Sequence, residues 1–208
     1  MTADPLRLSP HEAGHAFAQW TFGRPIVAVS IRPGRSHAGI TLVARGEDDH
    51  LRSRLDGSWV LDGLDPEARR FADRCIVMVL AGREAEDALG PPRTGYLPEL
   101  PVHEAPAVPG PLALDSPAAV SLLEAEAHEV EPDAALHDDE AVAFEMAYRL
   151  VGMTANAYLG WCRAEARRLM VDHAGPIHAL AAALRASQAL DGPTAVGIIT
   201  EALERSTA

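Results

Sequence analysis

The N-terminal part of the chain has a helical spacing of apolar positions, followed by two short apolar runs. Ser9 and Pro10 are typical of a helix start, with Ser9 as N-cap and Pro10 at the first helical position, where its missing N–H costs no hydrogen bond. The helical pattern continues to about Phe22, where a glycine ends it. The β-branched runs at residues 26–31 and 39–44 predict a short antiparallel β unit beside this helix.

Further along, helical patterns alternate with stretches rich in proline. A long helix is predicted from Asp65 to Leu89, where a Gly-Pro-Pro sequence ends it. Residues 91–115 are rich in proline and have little periodicity, which predicts an exposed loop insertion. Later helices are predicted at 116–130, from about Asp138 through Leu150, from about 156 to 187 with a bend at Gly175–Pro176, and from 192 to 205. We therefore expect a mostly α (α+β) fold in a single domain over residues 1–208.

The composition limits the classes of function that the chain can have. Of its 208 residues, 48% are hydrophobic, which is ample for a buried core. The net charge of −12 argues against nucleic acid as a partner, because so acidic a chain cannot neutralise phosphates along a groove. No stretch approaches the ~20 apolar residues of a membrane span, and residues 1–8 lack the apolar core of a secretion signal. Two cysteines without a C-x-x-C spacing fit a reducing compartment, so a cytoplasmic location is expected.

The first predicted helix carries the sequence His11-Glu12-Ala13-Gly14-His15, an H-E-x-x-H motif. Residues at i and i+4 share one helix face, so His11 and His15 can reach the same metal ion. Imidazole nitrogens are common ligands of zinc, and a catalytic zinc site combines three protein ligands with one position left for water. Glu12 can flank that position without ligating, where its carboxylate can serve as general base for an attacking water. The motif therefore predicts a zinc-dependent hydrolase.

The motif itself does not identify the third ligand of the predicted zinc site. A metzincin would have Gly and His three and six residues after the second histidine, where this chain has Ala18 and Thr21. The glutamate that a thermolysin-like enzyme would supply about twenty residues further on is also missing. The remaining candidates are His137, Asp138, Asp139 and Glu140.

Four segments form a series that extends over most of the chain. They are the zinc helix His11–Ala16, the V-S-I-x-P sequence Val29–Pro33, the G-R-x-A-E sequence Gly82–Glu86, and the D-x-x-x-A-x-x-x-A sequence Asp139–Ala147. In this order they resemble the peptidase domain of the FtsH family, the membrane-bound AAA zinc proteases. The step Leu190–Gly192 before the last helix is similar to the C-terminal hairpin of that family.

The resemblance implies a fold, an activity and a set of ligands. In that family an aspartate completes the zinc site, and the matching residue here is Asp139, at a predicted helix N-terminus where the helix dipole keeps a carboxylate ionised. The glutamate that matches the G-R-x-A-E sequence is Glu86, for which we expect either the orientation of a zinc histidine or a surface position. By resemblance, the chain is a zincin-like zinc metalloendopeptidase with His11, His15 and Asp139 as metal ligands and Glu12 as base.

Two features of the FtsH family are missing from this sequence, and their absence affects the expected substrates and partners. The sequence contains no G-x-x-x-x-G-K-[ST] phosphate loop of an AAA ATPase and no transmembrane anchor. Without a motor the chain does not unfold its own substrate. We therefore expect peptides or unfolded proteins as substrates, and a separate ATPase or a homo-oligomer as a further partner.

Two other functions agree with the same residues. One is a catalytically inactive zinc-binding adaptor or interaction domain derived from a peptidase, and the other is a helical interaction domain in which the H-E-x-x-H sequence binds no metal. Glu12 favours the enzyme over the adaptor, because a purely structural zinc site has no need of that carboxylate.

Overall fold

The computed structural model describes residues 4–33, 38–44, 66–91 and 139–207. In chain order the elements are α1 (Pro5–Thr21), β1 (Ile26–Ser30), β2 (Ile40–Val43), α2 (Pro66–Leu89), α3 (Asp139–Val151), a 3₁₀ turn (Gly152–Thr154), α4 (Ala155–Asp172), α5 (Ala174–Ser187), β3 (Ala189–Asp191) and α6 (Gly192–Thr207). The fold is mostly helical with a small antiparallel sheet, as predicted. Beyond Pro91, the predicted loop at 91–115 and the predicted helix at 116–130 lie outside the described residues, and the single domain over residues 1–208 stays a prediction.

The first helix begins earlier in the chain than the sequence pattern predicts. Asp4 is its N-cap and accepts a hydrogen bond from a main-chain N–H of the first turn, where Pro5 lies. The prediction of Ser9 as N-cap is wrong, because Ser9 is buried within the helix and its hydroxyl accepts a hydrogen bond from Arg185 of α5. Pro10 lies inside the helix, where it removes one i→i−4 hydrogen bond.

The three strands form an antiparallel sheet in the order β2-β1-β3. β1 pairs with β2 from Ile26 opposite Val43 to Ser30 opposite Ile40, with a bulge after Ile26. The predicted antiparallel unit is thus confirmed. β3, which the sequence pattern does not predict as a strand, pairs with the other side of β1, and Val29 in the middle of β1 is fully buried.

Helix α2 is central to the described structure and contacts α1, α3 and α4. Its apolar residues recur at helical spacing on more than one face, so that it is buried between its neighbours. Because α1 and α3 both pack on α2, the first turn of α3 lies beside α1. The largest fully buried side chains are Phe17, Phe71, Ile76, Met78, Leu80, Met146, Leu150, Met170, Ile177, Leu180 and Leu184.

The helix predicted from about 156 to 187 is two helices in the structure. α4 and α5 are separate helices that meet at His173, rather than one helix bent at Gly175–Pro176. Pro176 lies in the first turn of α5, where its missing N–H removes no helical hydrogen bond. Of the helices described, none is long and apolar enough to span a membrane.

Replacing Phe71 with alanine should lower the free energy of unfolding by about 3–5 kcal/mol, because a large core side chain is lost and a cavity remains. Phe71 is 2% exposed, whereas Phe144 on α3 is 41% exposed. Phe144→Ala is therefore the matched control, with an expected loss of about 1 kcal/mol or less. Urea unfolding followed by circular dichroism measures both losses, and equal losses would contradict this assignment of the core.

Candidate metal centre

The two histidines of the H-E-x-x-H motif lie side by side on α1. The Nε2 atoms of His11 and His15 are 3.1 Å apart. Their rings meet edge to face, with centroids 4.7 Å apart. The side chains are 22% and 16% exposed, so both are held in the structure yet remain open to solvent. The shared helix face that the i, i+4 spacing predicts is therefore present.

Asp139 brings a carboxylate oxygen to the same point. Its Oδ2 atom lies 3.2 Å from Nε2 of His11 and 3.4 Å from Nε2 of His15. Asp139 is the first residue of α3, and the buried face of that helix includes Ala143 and Met146 at helical spacing from it. Packing of this face turns Asp139 toward α1.

The other candidates for the third ligand lie elsewhere or outside the described residues. The carboxylate of Glu140 is 3.3 Å from the guanidinium of Arg163 on α4. His137 and Asp138 fall outside the described residues. Within the described part of the chain, His11, His15 and Asp139 are the one group of three or more His, Cys, Asp or Glu side chains that could hold a metal ion.

The distances among the three donor atoms fit a metal ion. Two ligand atoms at ~2.0–2.1 Å from a tetrahedral zinc ion are about 3.3–3.4 Å apart. The separations here are 3.1, 3.2 and 3.4 Å. A set of two imidazole nitrogens and one carboxylate oxygen suits zinc and also other divalent transition metals. The geometry therefore supports a metal site and does not by itself select zinc among these metals.

A main-chain contact orients His15. Its Nδ1 atom is 2.8 Å from the carbonyl oxygen of Met78 on α2. A carbonyl oxygen only accepts hydrogen bonds, so Nδ1 carries the proton and Nε2 of the neutral ring has its lone pair free for a metal. Gly82, one turn further along α2, leaves space for this ring, because a Cβ atom at residue 82 would collide with it.

A pair of charged side chains orients His11. The carboxylate of Glu86 on α2 has its Oε2 atom 3.5 Å from Nδ1 of His11. The other oxygen of Glu86 accepts a hydrogen bond of 2.6 Å from Nε of Arg7. Such carboxylate contacts on the far side of a ligating imidazole fix its orientation and raise its basicity. Of the two positions expected for Glu86, the structure has the one beside His11.

The three donor groups shift one another's pKa values. Burial lowers the pKa of His11, but the hydrogen bonds to Asp139 and Glu86 outweigh burial and raise the pKa to about 10. Burial raises the pKa of Asp139, but the charge of His15 and the hydrogen bonds from both imidazoles hold it well below its usual range.

Glu12 lies beside the donors without being one of them. Its side chain is buried, with the residue 4% exposed. Its Oε2 atom accepts a hydrogen bond of 2.9 Å from the hydroxyl of Thr41 on β2. Burial raises the pKa of Glu12, and the nearby charges of His15 and His11 and the Thr41 hydrogen bond lower it only in part. A buried carboxylate with a raised pKa next to a metal site is suited to proton transfer.

All four residues predicted for the site thus lie together. Neither the protein-family models nor the curated proteins compared with this chain match it. The resemblance to the FtsH peptidase domain therefore stays a prediction that rests on the segments quoted above.

The sequence alone did not point to several residues of the site. Arg7 precedes the motif by one helical turn, a spacing that places it on the same face as His11 and that could have identified it. Thr41 lies on a strand and Met78 contributes only its carbonyl oxygen, so neither has a recognisable spacing from the motif.

Glu86→Gln should weaken zinc affinity by about 10–100-fold, because the amide loses the negative charge that orients and polarises His11. Asp87→Asn is the matched control, since Asp87 follows on the same helix and pairs with the partly buried Arg83 instead. Competition with a chromophoric chelator measures the dissociation constant of both variants. A Glu86→Gln protein that binds zinc as tightly as the control would contradict this role.

Zinc affinity should rise with pH across the neutral range. In the metal-free protein the raised pKa of His11, about 10, keeps a proton at the site at pH 7, and zinc must displace it. For each proton that zinc displaces, the affinity should rise about tenfold per pH unit, up to the pKa of His11. Chelator competition at pH 6, 7 and 8, together with proton release in weak buffer, tests this. An affinity that does not change between pH 6 and 8 would contradict it.

Proposed function

We propose that this chain is a zinc-dependent metalloendopeptidase of a zincin-like, FtsH-peptidase-like kind. The observation that carries the proposal is the meeting of three atoms that could hold a metal ion with the carboxylate of Glu12, which is buried beside them. His11, His15 and Asp139 are the proposed zinc ligands and Glu12 is the proposed general base.

The chemistry divides between the metal and the protein. A zinc ion held by these residues would polarise a scissile carbonyl and lower the pKa of water toward ~7. Glu12 accepts the proton of the attacking water and then donates it to the nitrogen of the leaving amine. Burial suits Glu12 to the first step, because a carboxylate with a raised pKa is a stronger proton acceptor than an exposed one.

The proposed substrates are peptides or unfolded proteins. The resemblance to the FtsH peptidase domain supports a peptide substrate, and the sequence has no phosphate loop with which to drive unfolding. A separate ATPase or a homo-oligomer is the proposed partner, and the cytoplasm is the proposed location.

The alternative is a zinc-binding adaptor without activity. It would need the same three ligands and the same histidine orientation. It would not need a buried carboxylate next to them, since moving a carboxylate out of water costs stability even where a hydroxyl such as that of Thr41 donates to it. The placement of Glu12 therefore favours the enzyme.

Glu12→Gln should retain zinc and lower peptide hydrolysis by about 10²–10⁴-fold, because the amide cannot accept a proton. Glu84→Gln is the matched control, since Glu84 on α2 is equally buried but pairs with Arg163 and Arg167. Cleavage of fluorescently labelled, unfolded casein and elemental analysis after dialysis measure activity and zinc content.

Three outcomes of this experiment would contradict the proposal. If wild-type protein with one bound zinc cleaves no unfolded substrate, the adaptor is the better function. If Glu12→Gln loses its zinc, Glu12 is a ligand and not the base. If wild-type protein takes up no zinc even after reloading, the chain is a helical interaction domain.

A further inference from the structure

Strand β2 contacts α1 at the residue proposed as general base. The Thr41 hydroxyl lies 2.9 Å from Oε2 of Glu12 and 3.2 Å from the main-chain carbonyl oxygen of Glu12. A hydroxyl has one proton to donate. The shorter distance and the charge of the carboxylate favour donation to Oε2, because hydrogen bonds to ionised acceptors are the stronger ones.

The second oxygen of Glu12 faces the backbone of the same segment. A Cβ atom at residue 39 would lie 2.6 Å from Oε1 of Glu12, closer than atoms in contact can come. Gly39 therefore leaves the space that Oε1 occupies. Within the described residues, no hydrogen-bond donor reaches Oε1, whereas Oε2 has the Thr41 hydroxyl.

We propose that Thr41 and Gly39 are positioning residues that make Oε1 of Glu12 the proton-accepting oxygen, an inference that rests on the proposed peptidase function. The Thr41 hydrogen bond occupies Oε2 and fixes the rotation of the carboxylate. Oε1 then takes the proton as the water oxygen bonds to the carbonyl carbon. When the C–N bond breaks, Oε1 returns this proton to the amine nitrogen, and the carboxylate is regenerated.

A merely structural bond between β2 and α1 would have different consequences. It would stabilise the fold, and its loss would affect zinc binding, KM and kcat together. Positioning of the base affects the chemical step alone, because misplacing a reacting group by a fraction of an ångström lowers the rate and leaves ground-state binding intact.

The test compares Thr41→Val, which keeps the shape and loses the hydroxyl, with Thr41→Ser, which keeps the hydroxyl. Thr41→Val should lower kcat on labelled, unfolded casein by about tenfold, with KM and zinc affinity unchanged. Thr41→Ser should recover most of the kcat. Thr21→Val is the matched control, because Thr21 donates to a carbonyl oxygen of the same helix far from Glu12.

Gly39→Ala tests the other half of the proposal. It retains the Thr41 hydroxyl but places a methyl group against Oε1, so kcat should fall by more than about tenfold while the zinc content stays at one per chain. Wild-type kcat in Thr41→Val, failure of Thr41→Ser to recover it, or loss of zinc from either Thr41 variant would overturn the proposal. Wild-type kcat in Gly39→Ala would overturn it as well.

A measurement without catalysis separates this inference from the proposed function. If the Thr41–Glu12 bond is formed, Thr41→Val and Glu12→Ala should be non-additive in urea unfolding. The unfolding equilibrium constant of the double variant should differ from that expected for independent changes by about threefold or more. Additivity would overturn the positioning proposal even in an active enzyme. Non-additivity in a zinc-loaded protein without hydrolysis would refute the peptidase function and retain the hydrogen bond.

Discussion

Two imidazole nitrogens and a carboxylate oxygen converge within 3.4 Å of one another where α1 and α3 meet against α2. Their lone pairs all face one point, so the arrangement repels itself unless a cation occupies that point. In the metal-free protein the hydrogen bonds to Asp139 and Glu86 outweigh burial and raise the pKa of His11 to about 10, so a proton lies at this point at neutral pH. A divalent metal would accept all three lone pairs and balance the charge of the carboxylate. The close approach of these three donor atoms is the constraint to which the surrounding contacts conform.

The surrounding residues hold each donor in place through a different contact. A carbonyl oxygen of α2 orients His15, and the Glu86–Arg7 pair orients His11. The packing of α3 positions Asp139. Two of these three supports come from α2, which supplies none of the donors itself. α2 is also the most thoroughly buried helix described, so it is well suited to fix the rotation of both rings. The site is thus built from side chains of two helices on the surface of a third.

The sequence predicted those features that depend on residues close together in the chain better than those that depend on distant residues. His11 and His15 need only helical geometry, so their spacing predicted their meeting. The choice of Asp139 required a family resemblance, although its helical spacing from the apolar residues of α3 also places it on the buried face of that helix. The start of α1 was mispredicted because Asp4–Pro5 and Ser9–Pro10 both match a helix start, and a hydrogen bond from Arg185 holds Ser9 inside the fold. Thr41 and β3 depend on pairing between distant segments, which no local pattern encodes.

The order of the ligands along the chain has a consequence for biosynthesis. His11 and His15 lie in the first helix, whereas Asp139 lies far beyond them in sequence. At roughly 5–20 residues per second, a ribosome takes about 6–24 s to make the ~120 residues between them. During that interval the nascent chain has two of its three donors and Glu12. A product of premature termination between residues 15 and 139 keeps the same incomplete set, so the full set of donors is a property of chains translated past residue 139.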